Sequence, residues 1–308
     1  MSVSLRARMA RLVVRLVLKP LLRPAVPIRL QRVWVAAATR TLWVPRAAQF
    51  ERTRLGGVPG ECVAPRGPVR ATGKAVLYLH GGGYVLGSPR THRSITGRLA
   101  LLAGVAVHVP DYRLAPEHPF PAALDDALSC YRALLAQGCT PGGMVLAGDS
   151  AGGGLALALA LRLRELGLPQ PAGLALISPW VDLACDRLSP IGDDALLSEP
   201  WLRADAAAYL ATNPVAAPWA SPIHANLHGL PGVLIQSSQQ EMLREDANRL
   251  AAALQAAGVR VQLEVCESMW HDFQLYAGQV PEATQAVQRL AAHIARCLDS
   301  TAPPINRP

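Results

Sequence analysis

The first acidic residue of this 308-residue chain is Glu51. Ten lysines and arginines precede it between Met1 and Arg46, so the formal net charge of +8 belongs to the N-terminal segment. The remainder carries twenty basic and twenty-two acidic residues, which excludes a nucleic-acid-binding body. Charged residues make up 17% of the chain against 51% hydrophobic, a balance that excludes a disordered chain and supplies a substantial core. The six cysteines (Cys62, Cys130, Cys139, Cys185, Cys266, Cys297) form no CxxC pair and no ladder of ligand spacings. That pattern argues against a disulfide framework or a zinc site, and a reducing, cytoplasmic location is expected. No run approaches the ~18 uninterrupted apolar residues of a membrane span, and there is neither an internal repeat nor a flexible interdomain linker.

Within the basic segment, Leu5 to Lys19 reads as an amphipathic helix ended by Pro20. Arg8, Arg11, Arg15 and Lys19 form one stripe, and Leu5, Met9, Leu12 and Leu16 an apolar face beside it. Arg11 and Arg15 interrupt the apolar stretch and no small-residue cleavage site follows, against a signal peptide. Two readings follow: a lid whose apolar face covers a pocket, or a helix lying on an anionic membrane surface. Solvated basic stripes are the commoner case, which favours the lid.

Beyond Pro45 the pattern turns to strands. Gln49 to Leu55 and Val58 to Ala64, around Gly56-Gly57, predict a β-hairpin. Further strands are expected at Ala75 to His80, Val105 to Pro110, Met144 to Ala147, Leu174 to Ser178, Val233 to Gln236 and Val261 to Val265. Helices alternate with them, among them Ala122 to about Gln137 and Ala151 to Leu166, apolar almost all round until Arg162. Such alternation predicts an α/β fold with a mostly parallel sheet and helices on both faces. Leu183 to Ala216 reads as an Ala-rich helical insertion, a candidate part of a cap.

Two glycine motifs carry the chemistry. Gly148-Asp149-Ser150-Ala151-Gly152 is a G-x-S-x-G turn between a strand and a helix. There a serine sits on strained backbone at the sheet's C-terminal edge, and flanking side chains would collide with neighbouring elements. A phosphate loop lacks its G-K-[ST] ending here, and no acidic residue stands some 20 positions on, as a dinucleotide site requires. His80-Gly81-Gly82-Gly83-Tyr84 closes an earlier strand and leaves consecutive backbone N–H groups unhindered. With the N–H of Ala151, those of Gly82 and Gly83 suit an oxyanion hole. His80 is expected to hold the glycine loop through its ring nitrogens, with Gly81 part of the same loop.

These motifs, with DYRLAPEHPFPAALDD (Asp111 to Asp126), GDSAGGGLA (Gly148 to Ala156), LISPWVDL (Leu176 to Leu183) and ASPIHANLHGLPGVLIQ (Ala220 to Gln236), stand in the order and spacing of a known family. The chain resembles the bacterial hormone-sensitive-lipase-like esterases of the α/β-hydrolase superfamily from about Val58 to Leu298, and is similar to the monoterpene ε-lactone hydrolase branch. The resemblance implies an α/β-hydrolase fold, residues 49–308, carrying a cap insertion at about 183–216 and preceded by a basic helical cap segment, residues 1–48. It implies hydrolysis of short-to-medium acyl esters by a nucleophile, Ser150, a base, His271 in MWHDF, and an acid, Glu241, two positions before Leu243. Where the family more often has a glycine and an acidic pair, this chain has Ser238 and Gln240, so Asp246 and Glu245 stay open as acids. A helix start also favours carboxylates for structural reasons. Asp149 is not expected to transfer protons. Arg113 and Glu117 are expected to support the loop beneath the site through charge-assisted bonds. Trp180, Trp201, Trp219 and Trp270 suit an acyl pocket or ordinary core packing.

No cofactor or metal is called for, and the expected partner is a small-molecule ester or lactone, without nucleic acid. Peripheral membrane contact through the basic helix, and oligomers, stay open. The rivals are a lactone hydrolase with the same machinery and a non-catalytic ligand-binding member of the fold.

Overall fold

The computed structural model describes residues 3–67, 73–192 and 194–299. Eight strands make one sheet: β1 (Ala48–Leu55), β2 (Val58–Pro65), β3 (Ala75–Leu79), β4 (Ala106–Pro110), β5 (Met144–Asp149), β6 (Gly173–Ile177), β7 (Val233–Ser238) and β8 (Val261–Cys266). Their spatial order is β1-β2-β4-β3-β5-β6-β7-β8. The hairpin β1–β2 is antiparallel, as is the β2–β4 pairing, and every later neighbour is parallel. Parallel strands need covered faces, and these strands are accordingly apolar: every residue of β3, β5, β6 and β7 is buried.

Alternate residues of β3 feed opposite cores. Ala75, Leu77 and Leu79 point to one, Val76 and Tyr78 to the other. The first core is closed by α4 (Ala122–Ala136), α5 (Ala151–Glu165) and α7 (Arg244–Ala256), and the second by α3 (Arg93–Ala103) and α8 (Pro281–Asp299). α5 runs beneath the C-terminal edge and is buried on every side over its first eleven residues, Ala151–Leu161, which explains a sequence apolar almost all round. The fold class, hairpin and strand pattern expected from sequence all appear, with boundaries moved by one or two residues.

Two expectations are corrected. The N-terminal segment forms α1 (Leu5–Val13), a wider π-helical turn (Val14–Leu18), a 3-10 turn (Lys19–Leu21) and α2 (Ile28–Ala38). Its body-facing residues on α1 and the π turn are the smaller Ala7 and Val14, while Leu5, Met9, Leu12 and Leu16 are 71%, 61%, 54% and 63% exposed. The apolar face read as a pocket cover therefore points to solvent. Second, among the described residues the insertion is helical only at α6 (Glu199–Leu210). Arg113 and Glu117 do make the charge-assisted bonds expected of them, each with a different partner. Arg113 forks onto Asp126 of α4 at 2.8 Å, and Glu117 takes Arg32 of α2 at 2.7 Å.

Arg32 also donates to the Val85 and Ala115 carbonyls at 2.8 Å, so α2 is bonded directly to the loop that follows the HGGG glycines. At the other end Ser4 caps α1 and bonds Glu282 of α8 through its N–H (2.7 Å) and hydroxyl (2.9 Å). No helix among the described residues is long and apolar enough to cross a membrane.

Candidate active site

β5 ends at Asp149, and the chain turns into α5 through Ser150 at φ 52° and ψ −122°. A positive φ costs a residue with a Cβ of order 1–3 kcal/mol, so it persists only where surroundings enforce it. They do: the Ser150 N–H donates to Ile177 O (2.8 Å), and the Ser150 carbonyl accepts from Gly154 (3.1 Å) and Trp180 (2.9 Å). A Cβ on Gly152 would strike the Leu79 and His80 carbonyls, and one on Gly148 the Gly152 carbonyl, so both flanking positions are confined to glycine. The turn leaves Ser150 5% exposed at the N-terminus of a 15-residue helix.

Two strands along the edge, β7 delivers Glu241 just past its end, and β8, the next strand, delivers His271. Strands lie about 4.8 Å apart, so the connecting loops must lean back toward β5 to close the gap. His271 Nδ1 lies 3.0 Å from Glu241 Oε2, with both side chains buried. Glu241 Oε1 accepts from the Ser238 N–H at 3.0 Å and from the Ser237 hydroxyl. Burial, its largest influence, would raise the Glu241 pKa, but His271 and the Ser237 hydroxyl hold it below its ordinary value. His271 Nε2 faces Asp272 Oδ2 at 3.1 Å. Burial lowers the His271 pKa, yet Asp272 and Glu241 outweigh it and lift it well above 6.5.

Opposite Ser150 lies the glycine loop. Gly82 has φ 118°, outside the range of residues with side chains, and its carbonyl accepts from Val85 (3.0 Å) and Leu86 (2.8 Å). Among the described residues the Gly82 and Gly83 N–H groups have no acceptor, and that of Ala151, first in its helix, has no intrahelical one. The arrangement offers a serine on strained backbone, an imidazole backed by a carboxylate, and unused N–H donors. This is what acyl transfer through a covalent intermediate requires.

Known proteins point the same way. A family model described as alpha/beta hydrolase fold matches residues 76–275. The chain is 43% identical over 265 residues to an acetyl-hydrolase of Streptomyces hygroscopicus, covering 81% of this chain and 89% of that one. It is 38% identical to the putative acetyl-hydrolase LipR of Mycobacterium tuberculosis, covering 86% of each. The crystal structure of an esterase from the bacterial hormone-sensitive lipase family superposes with a TM-score of 0.89 at 37% identity, over 97% of this chain and 100% of that one. The chain belongs to the hormone-sensitive-lipase-like esterases of the α/β-hydrolase fold. It is an enzyme of the carboxylesterase type.

This esterase places a second buried polar cluster under its glycine loop. Asp149 accepts from the Tyr78 hydroxyl at Oδ1 (2.7 Å) and from the Gly81 N–H at Oδ2 (3.0 Å), and its Oδ2 lies 3.1 Å from His92 Nε2. Asp149 is thus a brace for the loop. His80 bonds the Gly81 carbonyl at 2.9 Å through Nδ1; among the described residues its buried Nε2 has no partner, and its ring stacks on Tyr112. Burial, then the charge of His92, pushes the His80 pKa down to about 3, so it stays neutral. His92 had no sequence signal: its partner is 57 residues away, and a histidine at a helix start is unremarkable locally.

The rival acid, Asp246, does not meet His271. Its Oδ2 accepts from the Val181 (3.0 Å) and Asp182 (3.1 Å) N–H groups, fastening the loop after β6. Glu245 lies at the start of α7, its N–H taken by the Ser189 hydroxyl at 3.0 Å. Asp272 also escaped the sequence reading, although it adjoins His271. It lines a cavity of about 100 Å³ beside Gly81 and Gly82, with Leu18, Leu22 and Val35 of the N-terminal segment and Trp201 of α6. Of the four tryptophans that suited an acyl pocket, Trp201 reaches this cavity, bonded through its indole N–H to Gln31 of α2 (3.0 Å). Trp180 and Trp270 are core, and Trp219 lies under Arg162.

Proposed function

We propose that this esterase hydrolyses short-to-medium acyl esters through Ser150, His271 and Glu241. His271 Nε2 takes the Ser150 proton as Oγ attacks the ester carbonyl, and Glu241 holds the ring by Nδ1 and balances the imidazolium. The oxyanion is received by the N–H groups of Gly82, Gly83 and Ala151. The imidazolium protonates the departing alcohol; water, deprotonated by the same nitrogen, then releases the acid and restores Ser150. In the free enzyme Nε2 is engaged by Asp272, so substrate must draw the ring toward Ser150, as catalytic bonds commonly tighten on binding. Residues 1–48 serve as a cap, supported by Leu18, Leu22 and Val35 in the cavity wall.

The observation that carries this reading is the fully buried Glu241–His271 pair, at the same sheet edge as the strained Ser150. Kinetics on p-nitrophenyl acetate, butyrate and octanoate, with ε-caprolactone in parallel, test it. Turnover of the linear esters that disappears in Ser150→Ala is expected. Higher kcat/KM on the lactone would reassign the substrate class, and equal rates in Ser150→Ala would overturn the mechanism.

A further inference from the structure

Thirteen large hydrophobic side chains are exposed among the described residues, and ten of them lie in the first 46 positions: Leu5, Met9, Leu12, Val13, Leu16, Val17, Leu30, Val33, Trp43 and Val44. The concentration is not a frayed end. α1 is capped by Ser4, tied to α8 through Glu282, and pressed on the body by Ala7 and Val14; α2 is held to the π turn by a bond from the Trp34 indole to Val17 O (3.1 Å). Small residues thus face inward while leucine and methionine face outward, the reverse of a helix that has only to complete a core. Arg6 and Arg8, both exposed, alternate with this ridge, Arg23 is exposed between the helices and Arg29 in the first turn of α2, and no carboxylate occurs in the segment.

We propose that the outward face of this N-terminal segment is a binding surface for an anionic lipid bilayer. A rigid helix lying flat, with leucines on its outer face and arginines along its flanks, inserts the former at the acyl boundary and leaves the latter among the headgroups. Charge decides against a second copy of the chain. A two-fold contact through this face would set one cationic segment against its own image, with no acid in either to answer it. The surface also adjoins the site: the same segment continues into Leu18 and Leu22, which line the cavity beside the glycine loop. Bilayer attachment would therefore set the cavity wall close to the lipid.

Co-sedimentation of the full chain with phosphatidylcholine vesicles, and with vesicles of equal phosphatidylcholine and phosphatidylglycerol, tests the proposal without requiring turnover. The expected result is at least about tenfold tighter binding to the anionic vesicles, lost in the Leu12→Gln/Leu16→Gln variant. In Arg6→Gln/Arg8→Gln the preference for the anionic vesicles should shrink. All four positions are exposed, and both variants should hydrolyse a soluble acetate ester at the wild-type rate, which establishes that they fold. Failure to pellet with either vesicle, equal binding to both, or unchanged binding by the leucine variant would overturn it. So would light scattering that showed a wild-type dimer converted to monomer by the leucine variant, since the face would then be a self-contact. An inactive wild type that still binds anionic vesicles would refute the esterase mechanism and leave this proposal standing.

Discussion

His271 and His92 are both buried and both bonded to a carboxylate, Glu241 at 3.0 Å and Asp149 at 3.1 Å. Both have pKa values raised against the opposing effect of burial, His271 by Asp272 and then Glu241, His92 chiefly by Asp149. A buried histidine–carboxylate pair is therefore not by itself the mark of a proton-transfer site. What separates the two is where the other ring nitrogen points and how the backbone around it is held. His92 Nδ1 meets the Thr91 hydroxyl at 2.8 Å and Ser88 O at 3.2 Å, within a capping box, so each nitrogen is committed to the scaffold. His271 sits on a loop between β8 and α8, and among the described residues its Nε2 meets only the neighbouring Asp272, whose own Oδ1 is buried with no partner among them. One pair is built to stay put, the other to exchange partners.

The largest expected effect is on the proposed nucleophile. Ser150→Ala should lower kcat by about 10⁴- to 10⁶-fold with an unchanged thermal transition. Next, Glu241→Gln should cost roughly 10³- to 10⁴-fold in kcat, because the amide no longer balances the imidazolium. Asp246→Asn, which leaves the His271 bond intact, should cost less than about tenfold. A reversal of that order in steady-state kinetics would move the acid to α7.

Breaking the other pair should read out mainly as stability. Asp149→Ala leaves His92, Tyr78 and the Gly81 N–H buried without their acceptor, a loss of about 3–5 kcal/mol. In a domain of this size that lowers Tm by roughly 5–15 °C, measurable by calorimetry. Activity should fall less than in Glu241→Gln, through a displaced glycine loop. If Asp149→Ala were as inactive as Ser150→Ala yet fully stable, the distinction between the pairs would fail.

The smallest effect concerns pH. His271 must be neutral to accept a proton, and Asp272 raises its pKa by favouring the imidazolium. Activity should therefore be lost as pH falls through a value above 6.5. In Asp272→Asn the carboxylate charge is gone, the His271 pKa falls, and the acid limb of kcat/KM moves to lower pH. The ratio of variant to wild-type turnover then rises as the buffer is acidified. Burial, its largest influence, raises Asp272 itself to about 6 even beside His271, so the contrast should fade below that pH. An unmoved acid limb would show that Asp272 does not reach the working imidazole.

Much of this was legible in the sequence wherever the physics is local. Gly148 and Gly152 announce a turn that admits no side chain, and continuous apolar runs announce strands covered on both faces. His271 and Glu241 followed from motif position, and the structure sets them 3.0 Å apart. Long-range partners were not legible. Nothing near Glu117 says that its arginine is Arg32, 85 residues earlier, and nothing near His92 points to Asp149. The N-terminal helix shows a subtler limit: periodicity reveals an apolar face but not which face meets the body. Close packing selected the small side chains Ala7 and Val14, and left the leucines outside.

The central claim is that Ser150 is the nucleophile. Intact-mass spectrometry with peptide mapping, after brief exposure to a fluorophosphonate, tests it most directly. The account predicts one adduct per chain on the peptide carrying Ser150, formed far more slowly in Glu241→Gln and absent in Ser150→Ala. A single adduct on any other residue, or undiminished labelling of the Ser150→Ala protein, would contradict it.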